Sequence, residues 1–161
     1  MNSGLITSEL TENERQKKVT VKWSYPKLLA TNWYSDDLKG KGLYYISRKF
    51  GRKETLLYIG QTFDSYYNRL IAHDWNWLGL YRGKKYFRLG SIIYPSNRSD
   101  EEMKQLLKDV ESALIFGTAP TPKENSKSTI SYTPKHLYII TNEGYRGELL
   151  ETIAMREHIP N

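Results

Sequence analysis

Two short apolar and aromatic runs, Gly42-Leu43-Tyr44-Tyr45-Ile46 and Leu56-Leu57-Tyr58-Ile59-Gly60, are separated by a cationic turn, Phe50-Gly51-Arg52-Lys53. Runs of this composition bounded by glycine fit a pleated strand better than a helix, so the pair predicts an antiparallel hairpin. The residues beyond Gly60 narrow the choice further. Asp64 is suited to cap a helix over residues 65–77, with Tyr66, Leu70 and Trp77, then Tyr67 and Ile71, on its buried side. The same helix carries Arg69 and, one turn later, His73. Two tyrosines on paired strands beside an arginine and a histidine make a polar cluster that packing alone does not require.

The segments around this centre have simpler patterns. Residues 84–94 read as a third strand closed by Pro95, and Ser99 with Glu102 forms a capping box. Met103, Leu106, Leu107, Val110 and Leu114 then repeat at helical spacing as far as Gly117. Glu111 falls at the edge of that apolar stripe, where a carboxylate needs a partner. Pro120 and Pro122 stiffen the loop that carries Asn125. Upstream, residues 1–18 are polar and read as a frayed helix or a loose tail, and Val19-Thr20-Val21-Lys22-Trp23 alternates like a short strand stopped by Pro26. Downstream, residues 136–140 predict a strand, and residues 148–158 an amphipathic helix using Leu149, Leu150, Ile153 and Ala154.

The expected fold is α+β, a small three-stranded antiparallel sheet flanked by helices. It occupies residues 41–126, after an N-terminal arm over 1–40 and before a strand-helix extension over 127–161 that packs on the core. A chain of 161 residues allows one such domain with extensions. Lys and Arg total 24 against 18 Asp and Glu, and the net charge of +6 favours an acidic partner such as nucleic acid or anionic lipid. Without cysteine, disulfides and thiolate zinc sites are excluded, and Cys-ligated zinc-finger DNA readers with them. No apolar run approaches the ~20 residues of a membrane span, and no basic-then-apolar leader opens the chain. The expectation is a cytoplasmic protein off the membrane. A homodimer remains open.

The ordered set of motifs resembles the GIY-YIG nuclease family. Gly42-Leu43-Tyr44 stands for the first half of that name, with leucine for isoleucine, and Tyr58-Ile59-Gly60 for the second. The resemblance runs from about Gly42 to Asn125. It implies a GIY-YIG-like domain whose site is completed by an arginine on the first helix, a metal-binding glutamate on a later helix and an asparagine in the loop beyond. Tyr44, Tyr58, Arg69, His73, Glu111 and Asn125 match these in order. The implied activity is that of a metal-dependent DNA endonuclease, at this length restriction-type or stand-alone rather than of the homing or repair kind. Water would attack phosphorus directly, assisted by a tyrosine and one Mg²⁺ or Mn²⁺ on Glu111.

The chemistry of these residue types agrees with that implication. A phenol accepts a proton from water only when nearby positive charge favours the phenolate, and Arg69 with a cation supplies such charge. Tyr44 is the first choice of base and Tyr58 the holder of phosphate or water, with the reverse assignment open. The Arg69 fork suits two phosphate oxygens, and His73 suits a phosphate contact or a leaving-group donor. Each residue also has a plainer reading: strand aromatics for the tyrosines, a solvated charge or salt-bridge member for Arg69, a cap or packing residue for His73, a salt bridge to lysine for Glu111 and a turn residue for Asn125. Arg48, Lys49, Arg52 and Lys53 on the hairpin, with Arg82, Lys84 and Lys85 beyond the first helix, form a candidate phosphate-tracking rim on DNA. The alternative to an enzyme is a non-catalytic DNA-binding or assembly module that keeps the fold.

Overall fold

The computed structural model describes residues 17–93, 98–118, 122, 124–125 and 137–155. The hairpin pairs β3 (Gly42–Phe50) with β4 (Lys53–Thr62). Helix α1 (Tyr66–Asn76) follows, then β5 (Lys84–Ile93) and helix α2 (Asp100–Gly117). The chain enters through β1 (Lys17–Trp23) and the two-residue β2 (Lys27–Leu28), and its last described elements are β6 (Tyr138–Gly144) and β7 (Thr152–Ala154).

These strands form one seven-stranded sheet, which corrects the expected three-stranded sheet flanked by helices. The order is β4-β3-β5-β1-β6-β7, with β2 also paired to β5. The sheet is mixed: β1 and β6 run parallel, whereas β1–β5, β3–β4, β3–β5 and β6–β7 are antiparallel. Val19, Val21 and Trp23 are buried and Lys22 is exposed, the alternation of a strand with one covered face. Buried against both neighbours, β1 lies within the sheet rather than on an arm.

The C-terminal segment departs from expectation in a second way. Residues 148–155 are not helical, and the rest of the expected helix, 156–158, lies outside the described residues. Leu150 and Ala154 are exposed while Leu149, Ile153 and Met155 are buried, so the last turn of the pattern has the period of a strand. β-branched Thr152 and Ile153 suit the edge that β6 leaves open, and pairing continues from the Met155 N–H to the Tyr138 carbonyl at 2.9 Å. The readings of residues 1–16, of Tyr94-Pro95, of loop residues 119–121 and of His136 also lie outside the described residues.

Two cores lie on opposite faces of the sheet. Leu43, Tyr45, Leu56 and Ile59 pack with Leu106, Val110, Leu114 and the β1 and β6 side chains on the α2 side. Tyr44, Ile46, Leu57 and Phe87 pack with Tyr66 and Leu70 on the α1 side. α1 is capped by Ser65, whose hydroxyl accepts from the Asn68 N–H at 3.2 Å; Asp64 instead accepts from the Asn68 side-chain amide. Tyr67 is exposed, so the buried face of α1 is narrower than its sequence implied. α2 begins at the expected box, the Glu102 N–H donating to Ser99 Oγ.

Candidate active site

A β-bulge sets the position of Tyr58. Ile46 pairs with Tyr58 but Ser47 pairs with Leu56, so Leu57 is the extra residue on β4. Consecutive strand residues normally point to opposite faces, yet Leu57 and Tyr58 both pack on the α1 side. The extra Leu57 carbonyl accepts from the Glu124 N–H at 2.9 Å. Next to it, Asn125 grips the outer edge of β4 with both ends of its amide: Oδ1 accepts from the Ile59 N–H and Nδ2 donates to the Ile59 carbonyl, each at 2.9 Å. Asn125 therefore holds strand and loop together, a role not expected from the sequence, and its amide is already engaged.

Gly60 has a different task. It sits opposite Tyr44 on β3, and a Cβ there would overlap the Tyr44 ring and hydroxyl. Only a residue without a side chain lets the phenol lie across the strand. Tyr44 is fully buried, stacked at 6.0 Å between centroids on Tyr58, which is half-buried.

Beyond the edge of β4 the two helices close a cavity of about 640 Å³. Tyr58 from β4, Arg69 from α1 and Glu111 from α2 line it, together with Gln61, Asn125 and the lysines Lys104 and Lys108. Tyr44 and His73 are not in the lining; they stand behind Tyr58. The Tyr44 hydroxyl lies 2.8 Å from His73 Nε2, and the Trp77 indole N–H donates to His73 Nδ1 at 3.1 Å. The structure thus brings five of the six predicted site residues into one cluster, while the sixth, Asn125, reaches the cavity wall with its polar atoms turned to the strand.

Electrostatics separate the two tyrosines' surroundings less than geometry does. Burial pushes the Tyr44 hydroxyl well above the usual phenol value, the neighbouring Tyr58 adds to this, and Arg69 opposes it. Burial also raises Tyr58, helped by Glu111 and opposed by Arg69 and a hydrogen bond with Tyr44. Burial, then the Arg69 charge, pulls His73 down to about 4, so its ring is neutral at pH 7.

The predicted cationic rim forms at the hairpin tip, with Arg48 opposite Lys85 and Lys49 opposite Lys84 across β3 and β5. Arg52, Lys53 and Arg82 are exposed at the same end. Lys53 is roughly 15–20 Å along β4 from Tyr58. Arg48 reaches back toward the site, its guanidinium over the Tyr81 ring at 5.2 Å, and Tyr81 donates to Glu124. Nearer the cavity are cations that the sequence reading passed over. Lys104 and Lys108 precede Glu111 at helical spacing on one stripe of α2, a signal that was available. Lys104 and Lys41 both stand over the Phe63 ring, at 5.3 and 3.8 Å from its centroid.

No family model, curated protein or solved structure matches the chain. Among the described residues no helix is long and apolar enough to cross a membrane.

Proposed function

We propose that the chain is a metal-dependent DNA endonuclease that hydrolyses phosphodiester bonds. The observation that carries this reading is the convergence of Tyr58, Arg69 and Glu111, from three different elements, on one lysine-flanked cavity. A phenol, a guanidinium and a half-buried carboxylate are the proton acceptor, anion clamp and hard ligand that phosphodiester hydrolysis needs.

The lining also fits Mg²⁺ or Mn²⁺. Glu111 offers carboxylate oxygen within a cleft that carries the Gln61 amide as well. Among the described residues no three His, Cys, Asp or Glu cluster to hold a metal by themselves. A cation that keeps several waters and takes phosphate oxygens asks for one carboxylate. When bound, such an ion supplies Lewis-acid polarisation of the phosphodiester and a more acidic water.

The remaining work falls to the chain. Arg69 holds two non-bridging phosphate oxygens and offsets the charge that grows on them in the transition state. Lys104 and Lys108 hold the flanking backbone phosphates, and the hairpin-tip cations extend that track. Tyr58, the tyrosine that meets the cavity, takes the proton of the attacking water as its phenolate, the form that Arg69 and a bound cation would favour, while buried Tyr44 backs it. This reverses the first choice made from sequence, because a water in the cavity reaches Tyr58 and not Tyr44. Asn125 and the bulge fix the direction of Tyr58.

The test is incubation of supercoiled plasmid DNA with the protein and Mg²⁺, Mn²⁺ or a chelator. Nicked and linear products with either ion and none with chelator are expected. Tight DNA binding without cleavage, across diverse DNA and both ions, would favour the non-catalytic module.

A further inference from the structure

The direction of the hydrogen bonds behind Tyr58 follows from which groups can only donate. An indole nitrogen has a proton and no lone pair to offer, so the 3.1 Å contact from Trp77 Nε1 makes His73 Nδ1 the acceptor. A neutral imidazole has one N–H, which must then sit on Nε2, the atom 2.8 Å from the Tyr44 hydroxyl. His73 therefore donates to Tyr44. Arg69, whose charge acts on the Tyr44 hydroxyl, is also a donor only. Having accepted from His73, the Tyr44 hydroxyl keeps its own proton to donate, and the ring stacked on it, 6.0 Å away between centroids, is that of Tyr58.

We propose that Trp77 is a positioning residue which locks His73 in the Nε2–H tautomer, so that Trp77, His73 and Tyr44 form a one-way chain of donors ending on Tyr58. Each donor polarises the next, and the chain stabilises a phenolate on Tyr58 more than a phenol. His73 accordingly takes no proton from Tyr44. Its ring is held by Trp77 in the same way that a second partner orients a functional histidine elsewhere. The catalytic consequence rests on the nuclease reading above, whereas the tautomer does not. Tilted ring contacts keep the geometry: His73 lies 5.4 Å from Trp77 and 4.4 Å from Tyr58 between centroids.

The tautomer is read directly from the imidazole nitrogens by ¹⁵N NMR of the full-length labelled protein at pH 7, without substrate. The expected result is a protonated-type shift at His73 Nε2 and an unprotonated-type shift at Nδ1. In Trp77→Phe, which keeps a ring but removes the donor, a population with the proton on Nδ1 is expected. A wild-type Nδ1–H tautomer would overturn the assignment, and an unmoved tautomer in Trp77→Phe would overturn the role of Trp77. Plasmid cleavage then distinguishes donation from proton acceptance. Gln places an amide donor where Nε2 stands but cannot take up a proton, so His73→Gln should retain at least tenfold more activity than His73→Leu. Equal loss in the two, with both folded by circular dichroism, contradicts the donor chain. If wild type does not cleave DNA at all, the nuclease reading fails while the NMR result still decides the tautomer.

Discussion

The two tyrosines occupy different depths, and that difference has a kinetic consequence. Tyr58 lines the cavity, whereas Tyr44 is sealed behind it against His73. Tyr58→Phe removes the hydroxyl that meets water and should lower the cleavage rate by about 10²–10⁴-fold, the usual scale for a lost general base. Tyr44→Phe should cost less, about tenfold, because it removes only a donor to that base. The check is single-turnover cleavage by both folded variants, and the opposite ranking would return the base to Tyr44. His73 gives a prediction on stability. Unfolded, it binds a proton near 6.5; folded, with Tyr44, Tyr58, Trp77 and Arg69 around it, burial and the Arg69 charge hold it to about 4. Between those values the unfolded chain binds the extra proton, so stability from this residue is complete above pH 6.5 and is lost as pH falls toward 4. Thermal melts over that window should fall more steeply for wild type than for His73→Gln. Parallel curves would contradict the burial of a neutral ring.

Elements, rather than single residues, explain why these side chains meet. The β4 bulge turns Tyr58 to the α1 side, Asn125 secures the strand edge beside it, and Gly60 clears the space that Tyr44 fills. Gly60→Ala places a methyl group inside the Tyr44 ring, and overpacking of this kind costs about 1–3 kcal/mol. Denaturant unfolding should report that loss together with weakened cleavage, and a fully stable alanine variant would mean that Tyr44 does not lie across the strand. Much of this layer was legible. The hairpin, α1, β5 and α2 fall where glycine punctuation and periodicity put them, because those are local signals. The bulge was not legible, since Leu56-Leu57-Tyr58-Ile59 is continuous in its apolar character and no residue marks the extra position. The Asn125 clamp was hidden for a related reason: its partner Ile59 is remote in sequence, and an asparagine after prolines looks like any turn.

Across the whole molecule, the sequence underestimated the sheet because partners of a strand are not written in the strand. The alternation of Val19, Val21 and Trp23 is plain, but nothing in those residues names β5 and β6 as neighbours. The parallel β1–β6 pair joins the two ends of the described chain, and the Trp23 indole donates to buried Asn142 at 3.0 Å across it. Residues 148–155 misled in the other direction, four apolar side chains at helical spacing being also compatible with a short strand after a turn. A consequence follows for truncation. Ending the chain after residue 136 removes Tyr138, Ile140, Leu149, Ile153 and Met155 from the α2-side core, so the shortened protein should lose cooperative thermal unfolding. A sharp melt from it would contradict a core that depends on this segment.

Glu111 joins all three scales, as a carboxylate on the α2 stripe that faces the cavity assembled by the whole fold. The decisive measurement is made on Glu111→Gln, which keeps size and helical fit but removes the charge that would hold a hard cation. Gel-shift affinity for DNA and Mg²⁺-dependent nicking of plasmid are measured on the same folded protein. Binding should persist or tighten, because the Arg and Lys contacts remain and one negative charge near the phosphates is gone. Nicking should fall by at least about 10²-fold, as transition-state stabilisation by the ion is lost with its ligand. Wild-type nicking by the glutamine variant would contradict the account.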